Sequence, residues 1–282
     1  MLLIADSGST KADWNLADNG KVIAAFSSMG FNPVFVNADT VYNQLTADAA
    51  FMVYAHVVKK IFFFGSGCSH ESRNKIIADG LQRVFANAEI FVGHDLDACA
   101  YATCGDAAGI ACILGTGSNS CFYDGKTVHE LNHGLGYILG DEGSGTFFGK
   151  KLLSRFLYGL MPDELEKDFF NTYQLNKEII IENIYKKPNP NVYMASFATF
   201  MNMHRNHTWI KNLLLTGFGE FLDVNVMNIP QHKNVPVHFI GSIAFHFSDE
   251  LKQAVAERNL NMGVIIKKPI EGLTNYFLKK EY

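Results

Sequence analysis

The sequence lacks the features that mark disulfide-rich, metal-binding, nucleic-acid-binding or membrane proteins. Its five cysteines include no C-x-x-C pair and no matching histidine spacing, so we expect neither disulfides nor a metal centre built on them. A formal net charge of -4 gives no basic surplus for nucleic acid. No apolar run approaches the roughly 18 residues that a membrane span needs. The first residues also lack the basic and apolar regions of a secretory signal, so we expect a cytoplasmic protein without membrane or nucleic-acid partners.

Cys99 and Cys104 leave one alternative open. Thiolates grouped near a domain junction can hold an iron–sulfur cluster. The segment around these two residues predicts a helix, however, and a free cysteine ordinarily behaves as a small buried hydrophobic residue. We therefore assign the cysteines no metal role.

What the sequence does contain is one short phrase that occurs twice. An apolar run opens into the loop 6–11 (Asp-Ser-Gly-Ser-Thr-Lys) and returns as a strand that turns at Asn19-Gly20. The same order begins again at Ile110, with the loop 115–119 (Gly-Thr-Gly-Ser-Asn) and a turn at Asp124-Gly125. Asn-Gly and Asp-Gly between apolar runs predict tight hairpins. Two such loops could offer backbone N–H groups and hydroxyls to phosphate oxygens, which suggests a phosphate-binding cleft between two related halves.

The spacing of apolar residues predicts the order β-β-β-α-β-α-β-α for the first half. The second half begins alike but carries a block of helices between residues 143 and 227, before a strand, a helix, a strand and a closing helix. At 282 residues and 48% hydrophobic composition the chain can fill two cores. We place the boundary in the glycine-bounded segment 105–109, which gives domains 1–105 and 106–282.

One segment, 212–221, has two interpretations. Its Leu-Leu-Leu-Thr-Gly-Phe-Gly phrase could be another strand followed by a glycine loop. The apolar spacing that begins at Trp209 continues through it and favours a helix.

Four phrases follow one another along the chain: 6–11, 115–119, 140–144 (Gly-Asp-Glu-Gly-Ser) and 241–244 (Gly-Ser-Ile-Ala). Together, in this order, they resemble the actin-like ATPase and sugar kinase superfamily. Within it the chain is similar to the BadF/BadG/BcrA/BcrD-type ATPases and the N-acetylglucosamine kinases. The resemblance implies an α/β fold of two ribonuclease H-like domains with duplicated topology and a cleft between them. It also implies a kinase that uses ATP and Mg²⁺ to phosphorylate an amino sugar, with the 6-hydroxyl group of N-acetylglucosamine as the expected acceptor.

The resemblance assigns Asp6 to a hydrated Mg²⁺ ion, although on the residues alone it could merely cap a turn. It assigns the ATP phosphates to the two small-residue loops and adenosine to a late Gly-Ser pair, where a residue without a Cβ would let adenine approach. The residues assigned to the nucleotide are Ser7, Gly8, Ser9, Thr10, Lys11, Gly115, Thr116, Gly117, Gly241 and Ser242.

A kinase that acts on a hydroxyl group needs a carboxylate to accept its proton. The resemblance places this base at Asp95, with Asp97 as the rival. The first residue after a strand reaches toward the ligand, whereas the third lies in the first turn of a helix, where Asp is favoured by the helix dipole. We therefore expect Asp95 to be the base.

The resemblance also implies a set of sugar contacts. They are Asn32, Asp95, Ser118, Asn119, Gly134, Gly136 and Asp141. On composition alone Asn32-Pro33 would be an ordinary turn, and the neighbouring aromatic residue is either Phe31 or Phe35. The glycine-dense segment from His133 to Ser144 suggests close backbone approach to a ligand, and Ser144 could also cap the following helix.

Two other functions remain open at this stage. The chain could be an ATPase that activates a partner enzyme, which would need an iron–sulfur cluster, or a sugar or nucleotide sensor without catalysis. The segment 179–227, rich in Tyr, Phe and Met, could form the face of a homodimer or the core of the larger domain.

Overall fold

The structure is a computed structural model that describes residues 1–131 and 134–281. The chain divides into two compact units. The first comprises Met1–Asp106 together with Lys268–Tyr282, and the second comprises Ala107–Lys267.

The first unit is built on a five-stranded mixed sheet. Its elements are β1 (Leu2–Ser7), β2 (Lys11–Asp18), β3 (Lys21–Met29), α1 (Ala38–Thr46), α2 (Ala49–Met52), β4 (Lys60–Gly65), α3 (Glu71–Val84), β5 (Glu89–His94) and α4 (Asp95–Cys104). The sheet order is β3-β2-β1-β4-β5, with β1, β4 and β5 parallel. Asn19 and Gly20 both have positive φ, as the predicted β2–β3 hairpin turn requires.

The second unit repeats this sheet around a larger helical block. Its elements are β6 (Gly109–Leu114), β7 (Ser118–Tyr123), β8 (Val128–His129), α5 (Gly136–Leu139), α6 (Gly145–Leu157), α7 (Asp163–Tyr173), α8 (Lys177–Tyr185), α9 (Pro190–Ser196), α10 (Ala198–Met203), α11 (Thr208–Asn225), β9 (Val237–Ile240), α12 (Ser242–His246), α13 (Ser248–Glu257) and β10 (Met262–Ile266). Read from its other edge, the sheet order is β8-β7-β6-β9-β10, which matches the order β3-β2-β1-β4-β5 of the first sheet strand for strand. The duplicated topology predicted from the repeated phrase is therefore present.

The segment 212–221 lies within α11, so the helical interpretation is confirmed. Its glycines are explained by packing. A Cβ on Gly217 would stand 2.3 Å from the ring of Phe148, and one on Gly219 would stand 2.6 Å from the guanidinium of Arg258. The glycines thus allow close helix contacts and do not form a loop.

Most of the aromatic and Met residues of the segment 179–227 belong to the core of the second unit. Met194, Phe197, Phe200, Phe218 and Phe221 are buried in one hydrophobic cluster with the strands β6 and β9. The core interpretation therefore accounts for these residues.

The last helix, α14 (Ile270–Glu281), corrects the predicted boundaries, because residues 268–282 belong to the first unit and not to a domain 106–282. Phe277 stacks on Phe62 of β4 with ring centroids 3.8 Å apart, and Tyr276 stacks on Tyr101 of α4. A Cβ on Gly272 would meet the carbonyl oxygen of Ala102 at 2.6 Å, so α14 and α4 pack backbone to backbone. The sequence correctly predicted a closing helix, but the apolar face of this helix packs on the first sheet and not on the second.

Within the described ranges, none of the helices combines the length and the apolar character that a bilayer crossing demands.

Candidate functional site

The carboxyl ends of the three parallel strands in the first unit lie level with one another. Ser7 of β1 pairs with Gly65 of β4, which pairs with His94 of β5. The backbone N–H of Ser66 then donates to the carbonyl oxygen of Ser7 at 2.9 Å. The loops that follow these strands therefore begin side by side, at the edge where open α/β sheets bind their ligands.

The loop 6–11 is fixed by its own backbone and by the residues that directly follow β3. The N–H of Gly8 donates to the carbonyl oxygen of Lys11 at 3.0 Å, and the buried hydroxyl of Ser7 accepts from the N–H of Phe31 at 2.9 Å. A Cβ on Gly30 would lie only 2.0 Å from the carbonyl oxygen of Gly8. This close approach holds the loop in place, while Ser9 and Thr10 remain exposed.

Lys11 is held by a carboxylate of its own strand. Its ammonium group lies 2.9 Å from an oxygen of Asp13, and Lys268 lies 2.8 Å from the other oxygen. Of the residues predicted in the first loop, Lys11 is the one that the structure already provides with a counter-charge.

Asp6, one residue before the end of β1, lies in an unfavourable electrostatic environment. Burial is the largest effect and, with the nearby negative charges of Asp95 and Asp13, it raises the pKa of Asp6 to about 7, while Lys268 opposes the shift. A divalent cation would relieve this repulsion. The described residues hold no group of three or more His, Cys, Asp or Glu placed to bind a metal. An ion such as Mg²⁺, which keeps several waters and uses one or two carboxylates, is one that Asp6 could hold.

Asp95 is the first residue of α4, directly after β5, and its side chain is 25% exposed. Its Oδ2 accepts a hydrogen bond from the hydroxyl of Ser66 at 2.8 Å, and its Oδ1 lies 3.0 Å from Nε2 of His94. The carboxylate is therefore held at the sheet edge by residues that follow or end two neighbouring strands.

Asp97, the rival carboxylate, has a structural role. Its side chain accepts a hydrogen bond from the backbone N–H of His94 at 3.0 Å, as one half of a capping box at the start of α4. This arrangement favours Asp95 over Asp97 as the group that can face a ligand.

Asn32 connects the first loop to the turn that follows β3. Its amide donates to the hydroxyl of Ser9 at 2.8 Å, and its Oδ1 accepts from the N–H of Val34 at 2.9 Å. Gly67 gives it room, since a Cβ there would lie 2.4 Å from Oδ1. Asn32 therefore begins the turn that its composition suggests, and it also lies beside the loop 6–11.

The two aromatic candidates beside Asn32 are separated by burial. Phe31 is fully buried and packs edge-on against Trp14. Phe35 is 74% exposed. Phe35 is the aromatic residue that a ligand of this region could reach.

In the second unit, the loop 115–119 follows β6 and rests on the start of α6. The N–H groups of Gly145 and Thr146 donate to the carbonyl oxygens of Gly115 and Thr116 at 2.8 and 3.0 Å. Ser144 caps α6 by accepting from the N–H of Phe147 at 3.1 Å, which confirms the predicted cap.

Asp141 lies beside this second loop in a left-handed conformation, with φ of 59°. Its Oδ1 accepts from the N–H of Ser118 at 3.4 Å, and a Cβ on Gly117 would lie 2.9 Å from its Oδ2. Burial, the largest effect, raises the pKa of Asp141. The carboxylate of Asp141 therefore approaches the backbone of Gly117 closely, and a side chain at position 117 would displace it.

Two of the other predicted sugar contacts, Ser118 and Gly134, line one cavity together with Asp141. A cavity of about 220 Å³ is lined by residues that include Ser118, Gly134, Asp141, Asn225 and Asn228. A Cβ on Gly134 would be 3.5 Å from the amide of Asn119, and Gly136 begins α5 with φ of 70°. His133, in the same segment, lies outside the described residues.

A larger cavity of about 510 Å³ opens from the second loop. It is lined by Gly115, Thr116, Gly145, Val192, Ala195, Ser196, Ala198, Thr199, Asn202, Ser242, Ile243, His246 and Phe247. Gly241, predicted from the sequence to lie beside adenosine, also has a packing role. Its φ is 124°, and a Cβ there would stand 2.2 Å from the carbonyl oxygen of Leu114. The chain's own packing therefore requires this glycine.

Sequence reasoning missed Ser66 and His94 in the first unit, and the α9–α10 wall of the larger cavity in the second. Ser66 could have been found by the rule that led to Asp95, because each is the first residue after a parallel strand. The cavity wall shows the spacing 192, 195, 199, 202, which in the sequence predicts one helix face, and the structure divides these positions between α9 and α10.

The fold and sequence resemble solved structures over nearly their whole lengths. A candidate N-acetylglucosamine kinase from Porphyromonas gingivalis is 36% identical, with 100% of both chains covered and a TM-score of 0.95. A candidate N-acetylglucosamine kinase from Chromobacterium violaceum is 16% identical, with 98% of both chains covered and a TM-score of 0.73.

A ROK family glucokinase from Streptomyces griseus, solved with glucose and AMPPNP, is 12% identical over 98% of this chain and 97% of that chain, with a TM-score of 0.56. At identities of 16% and 12%, the second and third structures show similarity of fold alone. No protein-family model and no curated protein matches the chain. The predicted fold class, the two-domain fold of the actin-like ATPases and sugar kinases, is confirmed.

Proposed function

The chain belongs to the same protein family as the candidate N-acetylglucosamine kinase from Porphyromonas gingivalis, and we propose that it phosphorylates an amino sugar with ATP, at the 6-hydroxyl group of N-acetylglucosamine. One observation carries the proposal. Asp95, hydrogen-bonded to Ser66, lies at the same sheet edge as the fixed loop 6–11 and Asn32. A carboxylate and a phosphate-type loop at one edge are what phosphoryl transfer to a hydroxyl group needs.

In this proposal Asp95 accepts the proton of the sugar hydroxyl group as its oxygen attacks the γ-phosphorus. The carboxylate is partly exposed and is anchored through both oxygens, so it can meet a ligand without first changing its rotamer. The hydrogen bond by which Asp97 caps α4 supports Asp95, rather than Asp97, for this role.

The sugar would be held by hydrogen-bonding groups around a small polar ligand. In the first unit these are Asn32 and Asp95. In the second unit they are Ser118, Asn119 and Asp141, with the backbone of Gly134 and Gly136. The exposed ring of Phe35 offers an apolar surface next to Asn32 for the methyl group of an N-acetyl substituent.

The nucleotide would use Ser7, Gly8, Ser9, Thr10 and Lys11 in the first unit, and Gly115, Thr116 and Gly117 in the second. The 510 Å³ cavity, lined in part by Ser242, has the size expected of a pocket for adenosine. Asp6 would hold Mg²⁺ through water, and the ion would neutralise charge on the phosphates when bound. Because ATP is the donor, we expect the reaction to take place in the cytoplasm.

The BadF/BadG kinship forms part of the same proposal and rests on the four sequence phrases. The cysteines do not favour the reductase-activator role found in that group. Cys99 is buried, and burial raises the pKa of Cys104 to about 11, whereas cluster ligands must be thiolates.

The proposal is tested with purified protein, Mg-ATP and a panel of N-acetylglucosamine, N-acetylmannosamine, glucosamine and glucose, with ADP release as the readout. We expect N-acetylglucosamine to be the best acceptor. Asp95→Asn should lower kcat by at least about 100-fold while ATP still binds. Asp97→Asn is the matched control. Its amide oxygen can still accept from the N–H of His94, so it should cost only about 0.3–1 kcal/mol, through the lost charge at the helix start, and should retain turnover. Sugar-independent ADP release alone, or full turnover in Asp95→Asn, would contradict the proposal.

A further inference from the structure

His94 contacts the proposed base directly, and nothing in the sequence pattern pointed to it. Its Nε2 lies 3.0 Å from Oδ1 of Asp95, and its side chain is 14% exposed. We propose that His94 is a positioning residue that holds the Asp95 carboxylate in its reactive orientation through a neutral, Nε2-protonated imidazole. This inference rests on the proposed function, in which Asp95 is the base.

The helix start determines which ring nitrogen carries the proton. In the capping box of α4, the imidazole of His94 accepts from the backbone N–H of Asp97, while the carboxylate of Asp97 accepts from the N–H of His94. Nε2 faces Asp95, so the accepting nitrogen is Nδ1 and bears no proton. A neutral ring then carries its proton on Nε2 and donates it to Oδ1 of Asp95.

The second anchor completes the arrangement. The hydroxyl of Ser66 donates to Oδ2 at 2.8 Å, so each carboxylate oxygen of Asp95 has its own donor. Ser66 is itself fixed, because its N–H donates to the carbonyl oxygen of Ser7 at the end of β1. Two donors from two neighbouring strand ends define the carboxylate plane, which a single contact would leave free to rotate. Geometry of this kind supports rate, since a misplacement of about 1 Å can cost on the order of 100-fold.

The competing explanation is that His94 only caps α4. Two substitutions separate the two roles. Asn is a good N-cap acceptor but too short to replace Nε2 of the imidazole, so His94→Asn keeps the cap and loses the Asp95 contact. Gln is a poor cap, but its longer side chain can present an amide N–H to Asp95, so His94→Gln keeps the contact and loses the cap.

The positioning role predicts that His94→Asn lowers kcat for the sugar by about 10- to 100-fold, while the KM for ATP changes less than about twofold. His94→Gln should recover part of that loss, although its melting temperature falls. His70→Asn is the matched control, because His70 caps α3 at a site with no proposed catalytic role. If His94→Asn turns over like the wild type while His94→Gln is impaired, the capping explanation is correct and the proposal fails.

A measurement without turnover keeps the inference distinct from the proposed function. Long-range ¹H–¹⁵N NMR correlations of the full chain report the tautomer of each imidazole. We expect the Nε2–H form for His94, with a slowly exchanging proton that exchanges fast in Asp95→Ala. If the wild type phosphorylates no sugar, the proposed function fails, and this result still decides the contact. A His94 ring in the Nδ1–H form would overturn the inference.

Discussion

The ammonium group of Lys268 lies 2.8 Å from a carboxylate oxygen of Asp13, which is paired in register with Asp6 across β1 and β2. Lys11 occupies the other oxygen of the same carboxylate at 2.9 Å. Lys268 is also the first residue of the C-terminal segment that returns to the first unit. The C-terminal segment therefore brings a positive charge close to the two acidic residues Asp6 and Asp13, and this charge cannot be inferred from the N-terminal phrase alone.

Lys268→Met should destabilise the protein by less than about 1 kcal/mol, because the lysine is half exposed and Asp13 keeps Lys11 as a partner. The difference from wild type should shrink in 1 M salt, where the Debye length falls to about 3 Å. Urea denaturation at low and high salt measures it. Lys21→Met, at the exposed β2–β3 turn, is the control. An effect that does not depend on salt would mean that the methylene chain of Lys268, and not its charge, stabilises the first unit.

Gly30→Ala should cost about 1–3 kcal/mol, because the added Cβ would overlap the carbonyl oxygen of Gly8 and must displace one of two backbone segments. We expect weaker binding of ATP as well, since the displaced segment is the proposed phosphate loop. Gly8→Ala is the matched change, because a Cβ there meets its nearest neighbour at an ordinary 3.6 Å and should leave stability nearly intact. Thermal unfolding and ATP titration measure both variants; equal stability of the two would contradict this steric argument.

The duplicated fold could be predicted because hairpin signals and small-residue loops are local features. Asn-Gly, Asp-Gly and the apolar runs act over a few residues, so they determine elements that appear as expected, including the β1–β2–β3 and β6–β7–β8 hairpins. The packing partner of α14 was not predictable in this way. Its apolar face, with Leu273 and Phe277, would suit either sheet by periodicity, and only three-dimensional contact with Phe62 identifies the first one.

The residues of the candidate site also fall into two groups, those marked by local sequence features and those that only the three-dimensional structure reveals. Asp6 and Asp95, which the resemblance assigned, lie near the end of a strand or directly after one, so each stands out in the sequence beside a single strand. Ser66 and His94 matter because β4 and β5 lie level at their ends, which is a property of register between strands far apart in sequence. The choice between Phe31 and Phe35 likewise needed burial, since both aromatic residues follow β3 closely.

Phe35→Ala should raise the KM for N-acetylglucosamine several-fold and leave stability unchanged, because its ring is exposed beside Asn32. The KM for glucosamine should change less, since that sugar lacks the acetyl methyl group. Phe31→Ala is the contrast, and it should lose about 3–5 kcal/mol of stability because it empties a buried core position. Steady-state kinetics with both sugars and urea denaturation test the pair. An equal change of KM for both sugars would show that Phe35 does not read the acetyl group.

Thr199→Trp should block the larger cavity of the second unit. Thr199 is an exposed wall residue of that cavity, on α10, so an indole there can occupy the space proposed for adenosine without disturbing the core beneath. We expect the KM for ATP to rise by at least about tenfold, corresponding to about 1.4 kcal/mol, with an unchanged melting temperature. Thr172→Trp, on the exposed face of α7 in the same unit, controls for adding tryptophan to a helix surface. Unchanged affinity for ATP in Thr199→Trp would place the nucleotide outside this cavity.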